Sequence, residues 1–419
     1  MSAYLLPADI LLPDFNKVDG GKWAVVACDQ YTSEPEYWER VAQTVGDEPS
    51  TLRLILPEVY LEDSAARVPG IQETMNGYIR NLLVAHQSQM LYLERTQSNG
   101  RVRRGLIGMV DLENYDYQRG STSLIRATEG TVLERIPPRL EVRRDASLEL
   151  PHVMLLIDDP AKTVIEPVAG KASVTLQPAY DFDLMEGAGH VKAYFLDSVS
   201  LGRVSTALER LVSPEYVEGR YGEGVAPLLF AVGDGNHSLA TAKAAYEEIK
   251  AAYGERALRH PARYALVEVV NLHDDALHFE PIYRVLFNVE PNDVLGALEE
   301  YSFGLAGSAA PQQARFVTAN RRGTIHFGAP CEQLVVGTLQ TFIDQYLETH
   351  PEAHVDYIHG AKTVEALASK ERTVGFLFSG MSKDELFPAV MHDGALPRKT
   401  FSMGAAADKR FYLECRKIK

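Results

Sequence analysis

The sequence predicts a mixed α/β protein, and three observations lead to that class. Short apolar runs of strand length alternate along the chain with stretches in which apolar residues follow helical spacing. Asn99-Gly100, the strongest short hairpin signal, lies between two apolar runs at 89–95 and 101–112. A further apolar run at 227–232 enters a turn that contains two glycines, and an amphipathic helix follows at 239–253.

The remaining elements follow from the same two periodicities, taken in chain order. Strand-length apolar runs lie at 23–28, 152–157, 174–177, 190–196, 264–271, 278–289, 355–358, 374–378 and 411–415. Helical spacing lies at 34–45, 71–86, 201–211, 291–300, 334–347, 363–369 and 383–392. The charged, irregular stretch 113–150 predicts a long functional loop with one short helix, and the Gly and Ala clusters at 303–325 predict an internal boundary.

The composition is that of a globular protein with several domains. The chain has 419 residues, of which 46% are hydrophobic, and 42 Lys and Arg against 57 Asp and Glu give a net charge of −15. At about 150 residues per domain, this length predicts two to three domains with adequate cores. Because neutralised phosphates supply most of the affinity for nucleic acids and anionic membranes, we expect neither as a partner of so acidic a chain.

Cysteine usage and the N-terminus predict a cytoplasmic protein. Cys28, Cys331 and Cys415 are far apart and form no CxxC pair, which disfavours a cysteine zinc site and fits a reducing compartment. The N-terminus has no basic region and is broken by Pro7 and Pro13, unlike a signal peptide. No apolar stretch approaches the roughly 18 residues of a membrane-spanning helix. We expect Cys28 to be a buried small hydrophobe.

Two polar clusters are expected to be structural. Arg101, Arg103 and Arg104 flank the hairpin turn, and positive charge typically protects solvated strand edges there. The histidines and aspartates of 273–278 are metal-ligating types, but they lie between two predicted strands and have the composition of a polar turn.

The most informative segment is GDGNHS at 233–238, between a buried strand and a helix. Gly233 and Gly235 allow positive φ and a close approach of a ligand to the backbone. The unpaired N–H groups of the first helical turn and the positive end of the helix dipole make an anion site. Asp234 and His237 are positioned to bind a metal, orient a hydroxyl or contact a phosphate.

An alternative interpretation of the same turn stays open. Asp234 or Asn236 would only cap the helix, and His237 would be packed or solvent-facing. The segment is neither a P-loop nor a GxGxxG motif, because both spacings are absent. The pattern by itself therefore indicates a phosphate or anion site and no particular reaction.

The segment GDGNHSLATAKA resembles the DGHHR motif of the domain of unknown function 1015 family, which is allied to the ParB/sulfiredoxin superfamily and to free-serine kinases. Other segments resemble further motifs of that family: ACDQYTSEPEYW (27–38), RRGLIGMVDLENY (103–115), ATEGTV (127–132), FEPIYRVLFNV (279–289) and LPRKTFSMG (396–404). The resemblance extends over nearly the whole chain. It implies a ParB/sulfiredoxin-like core at 126–302 with additional α/β subdomains at 1–125 and 303–419.

The resemblance also implies catalytic residues. In the serine kinases a PHE segment supplies a catalytic glutamate, and Glu129 holds the matching position here. It would act as general base toward a substrate hydroxyl, and its alternative role is that of a solvated loop carboxylate. Asp234 and His237 match the first Asp and the second His of DGHHR. Asn236 and Ser238 depart from the motif, and the loss of its Arg removes a bidentate phosphate donor.

The implied function is a nucleotide-dependent kinase that phosphorylates a small hydroxyl metabolite, with free L-serine as the implied substrate. The cofactor would be ATP or ADP with Mg²⁺, and Asp234 would hold the metal. The phosphate cradle would consist of Gly233, Gly235, Asn236 and Ser238. The alternative is a non-catalytic nucleotide- or ligand-binding protein of the same superfamily.

Four further residues are candidates around the implied phosphates. Arg139 would clamp a phosphate or a carboxylate, or it is one more charge in a basic stretch. Lys399 and Ser402 would reach the phosphates from a glycine-ended loop, or they merely end a strand. Asp29 follows the first predicted strand, and ligands collect at the carboxyl ends of strands in open α/β sheets.

Overall fold

The computed structural model describes residues 4–130 and 136–419 as a mixed α/β chain, which confirms the predicted class. Its strands are β1 (Ala8–Pro13), β2 (Val25–Val26), β3 (Leu83–Gln89), β4 (Leu91–Thr96), β5 (Val102–Asp111), β6 (Tyr115–Asp116), β7 (Ile125–Ala127), β8 (Leu148–Glu149), β9 (Met154–Ile157), β10 (Gln177–Asp183), β11 (His190–Phe195), β12 (Phe230–Asp234), β13 (Tyr264–Asn271), β14 (Phe279–Phe287), β15 (Gln312–Val317), β16 (Arg322–Phe327), β17 (His354–His359), β18 (Thr373–Leu377), β19 (Phe401–Met403), β20 (Phe411–Tyr412) and β21 (Arg416–Lys417). Its helices are α1 (Gly20–Trp23), α2 (Pro35–Val45), α3 (Ser64–Asn81), α4 (Ile136–Arg144), α5 (Glu166–Thr175), α6 (Ser198–Leu211), α7 (Pro214–Tyr221), α8 (Asn236–Tyr253), α9 (Pro291–Gly304), α10 (Val335–Thr349), α11 (Ala361–Ala368) and α12 (Lys383–Asp393).

The contacts divide the described residues into two compact units. The first unit contains 4–127, 136–277 and 405–419, and the second contains 128–130 and 278–404. The stretch 303–325 carries β15 and the beginning of β16, and both strands belong to the second unit. The three sequence regions 1–125, 126–302 and 303–419 stay a prediction.

A nine-stranded mixed sheet organises the first unit, in the order β10-β11-β4-β5-β13-β9-β12-β7-β6. The expected hairpin around Asn99-Gly100 is the antiparallel pair β4–β5 within this sheet. Alternate residues of β4 enter separate apolar clusters: Leu91 and Leu93 pack on one side, and Tyr92 packs on the other. Since successive side chains of a strand point to opposite faces, this sheet carries a core on each face.

The C-terminal segment 405–419 is anchored inside the first unit by buried ion pairs. Glu268 in β13 accepts from Arg103 Nε at 3.2 Å and from Arg410 Nη1 at 2.9 Å, and it has no exposed surface. Arg410 also pairs with Glu414, which accepts from the Tyr180 hydroxyl. The expectation of a solvated edge is therefore wrong for Arg103, because β5 is an interior strand and its arginine neutralises a buried carboxylate.

Two local predictions are wrong for a common reason. The helix expected at 71–86 ends at Asn81, and Leu83 begins β3, which pairs with β1. The strand expected at 174–177 straddles the end of α5 and the beginning of β10. In both places apolar residues continue across a helix-to-strand junction, so that their spacing does not mark the boundary.

The second unit is built on an antiparallel sheet in the order β16-β15-β18-β14-β17, and β19 pairs with the other end of β14. Val285, Val317 and Leu377 form its buried cluster with Val364 and Ala368 of α11. Within residues 4–130 and 136–419, no helix combines the length and apolarity needed to cross a bilayer.

Candidate functional site

The GDGNHS turn adopts the geometry that its sequence predicts. β12 ends at Asp234, Gly235 takes a left-handed conformation with φ of 81°, and α8 begins at Asn236. A Cβ on Gly235 would lie 3.1 Å from Val153 Cα, so the position requires glycine for both its backbone and its packing. Gly233 lies within β12 and has no positive φ. Gly235 is therefore the single residue that connects β12 to the N-terminus of the 18-residue helix α8.

A lysine from the C-terminal segment forms an ion pair with the aspartate of this turn. The Lys409 ammonium lies 3.1 Å from Asp234 Oδ2, and both side chains are mostly buried. The Gly235 N–H donates to the other Asp234 oxygen at 3.1 Å. The carboxylate thus fixes a cation beside the first turn of α8. No sequence signal singles out Lys409, because only packing brings residue 409 to residue 234.

A buried histidine also contacts the turn, and it connects three segments of the chain. His152 Nε2 is 3.2 Å from Ser238 Oγ and 3.5 Å from Asp29 Oδ2, and its Nδ1 is 2.7 Å from the Tyr412 hydroxyl. Burial alone would lower the pKa of His152, but the charge of Asp29 and the hydrogen bond to it raise that pKa. The same partner holds the pKa of Asp29 well below its usual range despite burial. The imidazolium form next to Ser238 therefore persists to a higher pH than in a free histidine.

The hydrogen bonds of His152 continue through the Tyr412 hydroxyl to the thiol of Cys28. With Nδ1 of His152 protonated, the Tyr412 hydroxyl accepts from it and donates to Cys28 Sγ at 3.1 Å. Burial and the charge of Asp29 raise the pKa of Cys28 to about 12. The thiol stays protonated at neutral pH, so Cys28 is a packed acceptor rather than a nucleophile.

A cavity of about 170 Å³ opens beside the first turns of α8. Its wall includes Ser238 of the turn, His152 and Arg139, which forms an ion pair with Glu58. The structure therefore brings the predicted residues Arg139 and Ser238 to one cavity. Its other lining residues are mainly apolar and include Leu54, Ile55, Leu56, Leu61, Met75, Val142, Leu148, Leu150, Leu239, Ala242 and Leu266.

The remaining motif residues lie on the first turn of α8. Asn236 Nδ2 donates to Val232 O at 3.5 Å, which ties the start of the helix back to β12. His237 is half-buried, and its carbonyl accepts from Thr241 Oγ1 at 2.8 Å. The first bond involves the Asn236 side chain, whereas the second involves only the backbone of His237.

A second polar cluster lies in the second unit and contains Glu129. The Glu129 backbone bridges Leu396, and the Gly130 N–H donates to Leu396 O at 3.3 Å. Beyond Leu396, Lys399 has a φ of 54° and holds its ammonium 5.3 Å from the centre of the Tyr357 ring. Ser402 donates to Gly404 O at 3.2 Å, as a loop-closing residue does.

Buried Arg284 supports this loop. It donates to Lys399 O at 3.0 Å, Arg398 O at 3.2 Å and Gln340 Oε1 at 2.7 Å. Burial lowers the pKa of Arg284 to about 10, and the charges of Tyr357 and Glu129 act in the opposite direction. Glu129 and Lys399 therefore belong to one arrangement in the second unit, whereas Asp234, Ser238 and Arg139 belong to the first.

The described part of the chain contains no cluster of side chains of metal-site composition. There, no group of three or more His, Cys, Asp or Glu side chains is arranged to hold a metal ion. His273 lies 2.6 Å from Asp158, which also accepts two bonds from Arg220, so this histidine belongs to a structural network. Asp234 offers a single carboxylate that Lys409 engages, and its role as a Mg²⁺ ligand stays a prediction.

A family model for proteins of unknown function, DUF1015, matches residues 12–386. The chain belongs to the DUF1015 family. This membership confirms the resemblance drawn from the motifs. No curated protein matches the sequence.

Several solved structures resemble this DUF1015 protein at low identity. A conserved hypothetical protein from Pyrococcus furiosus is 11% identical, with 75% of this chain and 95% of that chain covered at a TM-score of 0.36. A mutant free serine kinase in complex with ADP is 11% identical, with coverages of 76% and 93% and a TM-score of 0.39. C-terminally truncated SbnI from Staphylococcus aureus is 10% identical, with coverages of 73% and 85% and a TM-score of 0.35. These scores are below the level at which a similar fold supports a similar function.

Proposed function

We propose that this DUF1015 protein binds a nucleotide through its phosphates at the 233–238 turn and transfers a phosphoryl group to the hydroxyl of a small metabolite, with free L-serine as the first acceptor to test. One observation carries the proposal. The Lys409 ammonium pairs with Asp234, directly before Gly235, and His152, whose pKa is raised, contacts Ser238 in the first turn of α8. Phosphoryl transfer needs positive groups around the phosphates, and this turn supplies them in a partly buried setting.

Two carboxylates give this arrangement its rigidity. Asp234 holds Lys409, and Asp29 holds His152, so that each cation is positioned before any phosphate arrives. A protonated His152 donates to Ser238 Oγ, which leaves the Ser238 hydroxyl proton available to a phosphate oxygen. Mg²⁺ accompanying the nucleotide would neutralise phosphate charge, with Asp234 as its protein ligand.

Glu129 is the proposed general base. In the transfer, the acceptor oxygen bonds to the terminal phosphorus, the bond from that phosphorus to the bridging oxygen breaks, and the hydroxyl proton passes to the general base. Support comes from the family resemblance, in which Glu129 matches the catalytic glutamate.

A non-catalytic ligand-binding protein is the second candidate, and two departures from the motif favour it. Asn236 and Ser238 stand where the family motif has His and Arg, and Asn236 turns its amide back to Val232. The loss of the Arg removes a bidentate phosphate donor.

Calorimetric titration with ATP, ADP and AMP, each with and without Mg²⁺, tests binding, and phosphoserine formation from ATP or ADP tests transfer. Lys409→Met is expected to weaken nucleotide binding by at least tenfold, whereas the matched control Lys362→Met, at an exposed lysine of the second unit, leaves it unchanged. Glu129→Gln is expected to abolish transfer and preserve binding.

Each result decides between the candidates. No binding of any nucleotide would contradict the proposal. Binding without transfer to serine or to a panel of hydroxyl metabolites would favour the non-catalytic candidate. Unchanged transfer in Glu129→Gln would remove the base from the mechanism.

A further inference from the structure

The cavity beside α8 has the size and lining of a site for a flat ring. Its volume is about 170 Å³, and an apolar cavity of roughly 150 Å³ in another protein binds benzene. Aliphatic side chains from several elements form most of its wall, including Leu54, Met75 and Leu239. Such a wall favours the faces of an aromatic ring system over a charged or strongly hydrated group.

The arginines of the cavity wall are already paired with carboxylates, Arg139 with Glu58 and Arg143 with Glu149. Arg143 on its wall donates to Glu149 Oε2 at 2.6 Å through Nη2. Its Nε–H is buried and has no acceptor among the residues that the structure describes. The Arg143 side chain is therefore committed to Glu149, and its Nε–H does not face the open volume of the cavity.

The cavity shares its wall with the turn. Ser238 and His152, which flank the proposed phosphate position, also line the cavity, and Thr241 and Ala242 continue the wall along the next turn of α8. A molecule with a phosphate at the turn would therefore direct its other end toward the apolar wall.

We propose that this cavity binds the purine base of the nucleotide, an assignment that rests on the proposed phosphate site. A purine is a flat ring system with two apolar faces, which this volume and this mainly aliphatic wall accept. Pyrophosphate, which has no base, would use only the turn.

The test compares the binding of ADP with that of pyrophosphate, and it uses a substitution that partly fills the cavity. Ala242 lines the cavity and is buried, so Ala242→Leu places its extra atoms in the empty volume. We expect ADP binding to weaken by at least tenfold, pyrophosphate binding to change by less than twofold, and the melting temperature of the free protein to stay equal or rise. The matched control Ala251→Leu, exposed on the same helix, leaves both ligands unaffected.

The outcomes separate this inference from the proposed function. If neither ADP nor pyrophosphate binds the wild type, the phosphate site itself fails. If both bind the wild type equally, or if Ala242→Leu leaves ADP binding intact, the phosphate site stands and the base assignment is overturned, with the cavity an ordinary packing void.

A measurement on the unaltered chain covers the case in which the filled variant does not fold. Photolabelling of the wild type with 8-azido-ADP and peptide mapping should mark segments of the cavity wall, around Leu54 to Met75 or Arg139 to Leu150. Labelling confined to other parts of the chain overturns the assignment.

Discussion

The turn before α8 depends on Gly235, and Gly235→Ala tests both its conformation and its packing. The residue has φ of +81°, and an added Cβ would meet Val153 Cα at 3.1 Å and Val153 Cγ2 at 3.2 Å. Gly120 provides a matched control in the same unit, because it has φ of +80° and a Cβ added there would meet nothing within 4 Å. The two substitutions therefore share the backbone strain and differ in the contact.

The magnitudes follow from these two contributions. A left-handed alanine costs roughly 1–2 kcal/mol, and the reduced entropy of the unfolded chain offsets about 0.4–1 kcal/mol of that cost. Gly120→Ala should therefore lose about 1 kcal/mol of unfolding free energy. Forcing a methyl group against Val153 adds roughly 1–3 kcal/mol of overpacking, so Gly235→Ala should lose about 2–4 kcal/mol.

Tryptophan fluorescence during urea unfolding measures the loss of unfolding free energy in the first unit. Both tryptophans, Trp23 and Trp38, are buried in the first unit, which also contains both glycines. Calorimetry with ADP then reports on the turn, and we expect at least tenfold weaker binding for Gly235→Ala only. Equal stability losses in the two variants, together with unchanged ADP binding, would refute the geometric reasoning.

Three further predictions concern buried charge. Glu268→Gln leaves two buried arginines facing a neutral amide and should cost about 3–5 kcal/mol in urea unfolding; a loss under about 1 kcal/mol would contradict the network. Because Asp29 raises the pKa of His152 in the folded state, the protonated ring should stabilise the protein fully below its ordinary pKa of 6.5 and lose that contribution as pH rises through the folded value. His152→Asn should remove that part of the pH dependence from unfolding curves taken between about pH 6 and 9, and a parallel profile would argue against it. Arg284→Met should release the loop of Lys399 and speed tryptic cleavage there, and an unchanged cleavage rate would show that other contacts hold the loop.

The class of the fold and the strand–turn–helix at 227–253 were predictable because both depend on local patterns. A period of two or of 3.6 residues, a hairpin-type Asn-Gly and a glycine before a helix act over a few residues. The motif that indicates the family is equally local. These signals placed Gly235, Asp234 and Ser238 correctly at the junction of β12 and α8.

The partners of that turn were not predictable in the same way. His152 is 86 residues from Ser238 and 260 from Tyr412, and Lys409 arrives from the C-terminal segment. Arg103 was expected on a solvated strand edge. Glu268, however, is a single carboxylate inside the apolar run 264–271, and a carboxylate buried there needs a cation as partner. Glu268 is therefore the sequence feature from which the buried ion pairs could have been predicted.

The sequence by itself thus determined the mixed α/β class, the family and the strand–turn–helix around Gly235. Only the tertiary structure decided which cations, hydroxyls and apolar side chains surround the turn. The physical reason is that local conformation depends on neighbours along the chain, whereas the pairing of buried charges and the shape of a cavity depend on which distant segments pack together.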